Sequence, residues 1–164
     1  FNGGLLGGTE FGHTVVQVGG VRCTCGREGC LESYASATGL IRMAREQMDK
    51  HPDSLLWKLC DGDKSKVNAE LAFKASDEKD EAGMLAVQEY MKYLAAGVAN
   101  AINMFRPEVV VLGGGISNRG EKLAAELNEM VKGECFGHTF VKPAEVVIAS
   151  LKNDAGIIGA AELC

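Results

Sequence analysis

Arg106-Pro107-Glu108-Val109-Val110-Val111-Leu112-Gly113-Gly114-Gly115 is the stretch that decides the fold. Val109 to Leu112 are apolar in succession, mostly β-branched and without polar alternation, the pattern of a strand buried on both faces. The run ends in Gly113-Gly114-Gly115, which serves either as a tight turn or as main chain that a nucleotide's ribose or phosphates approach closely. Upstream, Leu85, Val87, Tyr90, Met91, Leu94, Val98, Ile102 and Phe105 sustain an apolar face and predict one long helix from about Glu81 to Phe105, ended by Arg106-Pro107. Downstream, the pattern predicts a helix over about Gly120 to Val131 and a second apolar strand over Glu145 to Ala149. A terminal Ala/Gly/Ile helix follows, with Asp154 as its N-cap. Such alternation implies a sheet flanked by helices, an α/β fold.

The N-terminal part reads differently. Glycines crowd it from Asn2-Gly3-Gly4-Leu5-Leu6-Gly7-Gly8 onward, and His13 to Val18 reads as a short strand. Apolar residues from Leu31 through Tyr34, Leu40, Ala44 and Met48 predict a helix from Leu31 to about Lys50, stopped by His51-Pro52-Asp53. The segment Ser54 to Asp80 predicts mixed helix and loop, with a short helix over Ala69 to Lys74.

Between that strand and that helix lie Cys23, Cys25 and Cys30, whereas Cys60, Cys135 and Cys164 are scattered and read as small buried hydrophobes or inert surface thiols. This uneven usage argues against a disulfide framework. A C-x-C-x4-C cluster without a signal-peptide pattern supplies thiolate ligands for a metal, with zinc the natural occupant. Gly26 and Gly29 allow the tight reversal that returns Cys30 to Cys23 and Cys25.

The strings Glu10-Phe11-Gly12-His13 and Cys23-Thr24-Cys25-Gly26-Arg27-Glu28-Gly29-Cys30-Leu31-Glu32 resemble the ExGH and CxCGxxGCxE motifs of the ROK family. The resemblance continues through Ser33-Tyr34-Ala35-Ser36, Arg106-Pro107, Val110 to Gly115 and Asn153-Asp154-Ala155-Gly156-Ile157-Ile158-Gly159-Ala160-Ala161. It implies an actin/hexokinase-like, ribonuclease H-like α/β domain with a structural zinc loop. His13 then joins Cys23, Cys25 and Cys30 as the fourth zinc ligand, and Glu10, His13 and Glu32 contact sugar hydroxyls. Carboxylates accept and hydroxyls donate, and the two imidazole nitrogens can serve separate partners. Gly113, Gly114 and Gly115 become an ATP-contact loop. The implied activity is phosphorylation of a hexose, glucose foremost, by ATP and Mg2+ in a homo-oligomer, a dimer. Two other readings use the same residues: a sugar-sensing transcriptional repressor, and a zinc-stabilised structural domain with a degenerate pocket.

Composition sets the outer bounds. The 164 residues are 46% hydrophobic and 24% charged, which fits one soluble globular domain over 1–164. A net charge of -5 gives no electrostatic footprint for nucleic acid or an anionic membrane surface. No apolar run approaches the roughly 20 residues that span a bilayer, so the cytoplasm is the expected compartment. The chain opens on Phe1 and reads as the C-terminal part of a longer kinase. The resemblance places the catalytic aspartate and a phosphate loop upstream of Phe1, so these residues alone are expected to lack kinase activity.

Overall fold

The computed structural model describes residues 8–151 and 154–162, and by their contacts the chain divides into two compact units, Phe1–Tyr93 and Leu94–Cys164. The glycine-rich stretch Asn2 to Gly7, Asn153 and Cys164 lie outside the described residues.

The first unit is built from helices. A 3-10 turn over Phe11–His13 leads to α1 (Glu32–Ala35), α2 (Ala37–Lys50), α3 (Leu55–Leu59) and α4 (Ala69–Asp77), followed by the first part of α5 (Glu81–Phe105). The single helix expected from Leu31 to Lys50 is two helices. Ser36 breaks it with extended backbone (φ -107°, ψ 167°) and turns its hydroxyl to accept the Gly39 N–H, so it caps α2 instead of continuing α1. Gly39 is required at this joint, because a Cβ there would stand 2.6 Å from the Tyr34 carbonyl oxygen. The strand expected over His13 to Val18 is absent; this segment is a 3-10 turn followed by one isolated antiparallel bridge, Val15 to Cys30. A glycine-rich reversal leaves too little extended chain for a ladder.

Leu40, Met43 and Met48 of α2, Leu56 of α3 and Tyr90 of α5 are fully buried and form the core of this unit. Phe73 of α4 meets the Tyr90 ring edge-on, with centroids 6.1 Å apart. Asn68 caps α4 through its Leu71 N–H, and α4 reaches three residues beyond the expected Lys74.

The second unit holds the rest of α5, then β1 (Val109–Leu112), a 3-10 turn over Gly115–Arg119, α6 (Glu121–Lys132), β2 (Glu145–Ile148) and α7 (Ala155–Ala161). Helix α5 ends as expected, with Arg106 in the left-handed region (φ 48°) ahead of Pro107. β1 and β2 pair in parallel, Val109 opposite Glu145 and Leu112 opposite Ile148, joined through α6 as a parallel pair requires. α6 packs on β2, and Leu123, Leu127, Val131 and Val146 are buried. β1 is not buried on both faces: Val109 and Val111 are 45% and 55% exposed. The sheet has two strands among the described residues. Asp154 precedes α7 with backbone already helical and no side-chain cap, so the expected N-cap bond is not made. No described helix is long and apolar enough to cross a membrane.

Asp80 ties the starts of α3 and α5 together by three hydrogen bonds. Its carboxylate accepts the Ser54 hydroxyl, the Leu55 N–H at the start of α3 and the Gly83 N–H in the first turn of α5. Partial burial alone would raise its pKa, but these hydrogen bonds outweigh burial and hold it below the ordinary carboxylate value. Its contribution to stability is therefore complete above the unfolded-state pKa of about 3.9 and is lost as pH falls through the lower folded value. Asp80→Ala should cost about 1–3 kcal/mol at neutral pH. Urea unfolding should show that gap constant from about pH 5 to 7 and narrowing below about pH 4; a pH-independent gap would detach it from the carboxylate's charge.

Candidate metal and sugar site

The cluster is assembled by main chain before any ligand is considered. The Gly29 carbonyl accepts the N–H groups of Val16 and Gln17, and its own N–H goes to the Val21 carbonyl at 2.8 Å. Leu31 N–H then reaches the Thr14 carbonyl, and the Cys23 N–H reaches that of Arg27. These bonds lay residues 13–17 alongside 29–31, with Cys23 and Cys30 buried and Cys25 exposed. Tyr34 closes the loop from below: its phenol oxygen accepts the Val21 N–H at 2.7 Å, its ring stacks on Tyr93, and the Arg42 guanidinium covers it at 5.4 Å.

One ligand atom from each of His13, Cys23, Cys25 and Cys30 lies within 4.8 Å of all the others. The separations test the fit. Zinc bonds of about 2.3 Å to sulfur and about 2.0–2.1 Å to nitrogen give tetrahedral edges of about 3.8 Å (S···S) and about 3.6 Å (S···N). Cys25 and Cys30 sulfurs are 3.7 Å apart, and Cys23 Sγ is 3.5 Å from His13 Nδ1. The donor set therefore suits a four-coordinate ion in chemistry, and these two edges match it in size. By themselves the thiols differ: the Cys25 backbone N–H, opposed by burial, brings Cys23 down to about 6, whereas burial pushes Cys30 up to about 11.

Nδ1 faces the Cys23 sulfur, which makes Nε2 the ring nitrogen left for a second partner. Glu32, first residue of α1, brings Oε2 to 3.5 Å from His13 Nδ1. The 3-10 turn sits directly over it, since a Cβ on Gly12 would lie 3.6 Å from the Glu32 Cβ. Glu10 precedes the turn; its carbonyl accepts the His13 N–H, and its exposed carboxylate makes no capping bond. A cavity of about 250 Å³ opens beside Glu32, lined in part by Cys23, Ser33, Thr38 and Arg42.

Gly113, Gly114 and Gly115 belong to the second unit, all three exposed. Gly114 has φ 77°, and its carbonyl accepts the amide and hydroxyl of Ser117. A Cβ at Gly114 or Gly115 would meet nothing within 4 Å, so backbone conformation at Gly114, not crowding, calls for glycine. Asp61, Asp63 and Asp80 are engaged elsewhere, with Lys66, with the Ser65 hydroxyl and amide, and at the α3 and α5 starts. Motif reading did not identify Tyr34 as the phenol that holds Val21, or Arg27, whose Nη1 reaches the His13 carbonyl at 3.1 Å.

The crossing at Gly29 is the tightest point. A Cβ there would stand 1.7 Å from the Gln17 carbonyl oxygen, and φ is +78°; at Gly26 φ is +91° with nothing within 4 Å. Gly26→Ala should cost about 1–2 kcal/mol from backbone strain alone. Gly29→Ala carries that strain and a main-chain overlap, so denaturant unfolding should show it clearly the worse of the two. Equal losses would mean that conformation, not contact, sets the requirement.

The sequence model of the ROK family matches residues 1–164. The chain is 42% identical to the glucokinase of Thermotoga maritima over 95% of its own length and 49% of that protein's. It is 39% identical to the glucokinase of Halalkalibacterium halodurans over 96% of this chain and 49% of the relative. Its fold matches the crystal structure of a ROK family glucokinase from Streptomyces griseus in complex with glucose and AMPPNP. That match has a TM-score of 0.87 and 30% identity, and covers 96% of this chain and 51% of that one. The chain thus spans about half the length of the relatives it matches. With both motifs in place, a matching fold and a family match from end to end, this chain is a member of the ROK family.

Proposed function

We propose that this chain supplies the zinc-bearing, sugar-reading half of an ATP-dependent hexose kinase that converts glucose to glucose 6-phosphate. The observation that carries the proposal is the juxtaposition of a four-atom donor set with Glu32 at its edge and His13 Nδ1 turned toward Cys23. Similarity to two glucokinases and to a glucokinase solved with glucose and an ATP analogue supports the substrate pair.

His13, Cys23, Cys25 and Cys30 would hold zinc. Bound there, the ion supplies structural cross-linking, because four protein ligands leave no open position. Everything else falls to side chains of this chain. Glu10 and Glu32 accept hydrogen bonds from hexose hydroxyls, and His13 meets another hydroxyl through Nε2. Gly113, Gly114 and Gly115 give ATP, carried with Mg2+, a backbone surface without Cβ atoms. The family resemblance puts the base that takes the sugar proton outside residues 1–164, and Asp61, Asp63 and Asp80, held in other bonds, offer no substitute for it.

Protein purified without added metal should contain about one zinc per chain by elemental analysis. Cys25→Ser replaces a thiolate by a poor oxygen ligand, so it should lose metal to a chelator faster and unfold at lower temperature. Metal-free wild-type protein of unchanged stability would sink the zinc assignment.

In the full-length kinase, Glu32→Gln keeps shape but exchanges an acceptor for a donor. Titration calorimetry with glucose should show a loss of about 1–3 kcal/mol, roughly 5- to 150-fold in Kd, at unchanged zinc content. Wild-type affinity in a folded Glu32→Gln protein would return Glu32 to the status of a surface acid.

A further inference from the structure

We propose that Arg27 is a positioning residue for the hexose contact of His13, acting through the main chain of the 3-10 turn and not on the sugar itself. The inference rests on the reading of His13 as a sugar contact. Besides the 3.5 Å approach of Glu32 to its Nδ1, His13 is fixed at three points. Its amide donates to the Glu10 carbonyl at 3.0 Å, its Nδ1 faces Cys23, and its carbonyl accepts the Arg27 guanidinium at 3.1 Å. The first bond lies inside the turn and moves with it. The second tethers one ring nitrogen and leaves Nε2 to follow wherever the main chain goes. Only the third joins the backbone of the turn to a separate segment by a strong donor, since Cys30 Sγ, 3.7 Å from the same carbonyl, is a weak one.

The sequence is arranged to make this bond. Positive φ at Gly26 and Gly29 reverses the chain on both sides of Arg27, so its side chain doubles back across fourteen positions to His13. Meanwhile the Arg27 carbonyl accepts the Cys23 N–H at 2.7 Å. One residue therefore grips a thiolate ligand with its backbone and the histidine ligand's backbone with its side chain. The neighbouring guanidinium of Arg42 is committed elsewhere, to Glu46 and the Ser33 carbonyl. Arg27 has a planar fork long enough for the span, and a lysine could offer a single donor to the same carbonyl.

The test compares wild type, Arg27→Ala and Arg27→Lys. The chain has three histidines, so the imidazole resonances of His13, His51 and His138 can be followed separately in the zinc-loaded 164-residue protein. In Arg27→Ala the His13 signals should shift or broaden while His51 and His138 stay in place and zinc remains at about one per chain. Arg27→Lys should restore them in part. In the full-length kinase, Arg27→Ala should raise the glucose KM about tenfold with kcat changed less than about twofold, and Arg27→Lys should recover most of the loss. Unchanged His13 resonances in folded, zinc-loaded Arg27→Ala would overturn the proposal. So would loss of zinc in step with the resonance change, which would make Arg27 part of the metal loop's folding alone. If His13 moves as expected but wild-type kinase neither binds nor phosphorylates glucose, the hexose reading falls and takes the sugar half of the inference with it.

Discussion

The Gly29 peptide lies against the Gln17 carbonyl with no room for even a methyl group between them, and the ligand cluster is built on that crossing. Once these strands of chain are in contact, the Gly29 amide and carbonyl are satisfied by Val21, Val16 and Gln17, and Cys30 follows into a fully buried position. Leu31 then bonds to Thr14, one residue past His13, and hands the chain directly to α1. Glu32 thus takes its place relative to His13 from backbone geometry, and a bound ion would lock an arrangement the main chain already favours. Preorganisation of this kind is what a site that discriminates among sugar hydroxyls requires.

The acidic residues divide by what they are bonded to. Asp80 and Asp63 spend their oxygens on helix starts, where the first N–H groups lack partners, as the neutral amide of Asn68 also does. Glu10 caps nothing despite standing at the head of a turn, and Glu32 keeps half of its side chain in solvent. Neither carboxylate is spent on a helix start, and Glu32 meets the cluster only by long contacts to His13 and Cys23.

The donor set was legible in the sequence because metal chemistry is local: three cysteines within eight positions need only glycine-permitted reversal to converge. His13 was not legible from spacing; it came with the motif, and the 3.5 Å approach of Nδ1 to Cys23 is its physical counterpart. Element types in the second unit followed from periodicity, whereas three details did not. Ser36 reads as one more helical residue until its hydroxyl is seen to take the Gly39 amide. The Val109 to Leu112 run reads as doubly buried because strand hydrophobicity says nothing about how many strands lie beside it. Tyr34 and Arg27 act on partners thirteen and fourteen residues away through main-chain atoms, which carry no residue-type signal at all.

Asn128 gives the small sheet a handedness of access. Its side-chain amide donates to the Val146 carbonyl and accepts the Val146 N–H, with its second amide hydrogen on the Ala124 carbonyl, so α6 presents a one-residue imitation of a neighbouring strand. The outer margin of β2 is thereby closed to further pairing at its centre by a single side chain. Among the described residues β1 has no such guard, and its exposed valines are those a sheet normally buries. Within the described residues, then, the outer main-chain groups of Val146 are already bonded, and any strand that joined the sheet along β2 would first have to displace the Asn128 amide.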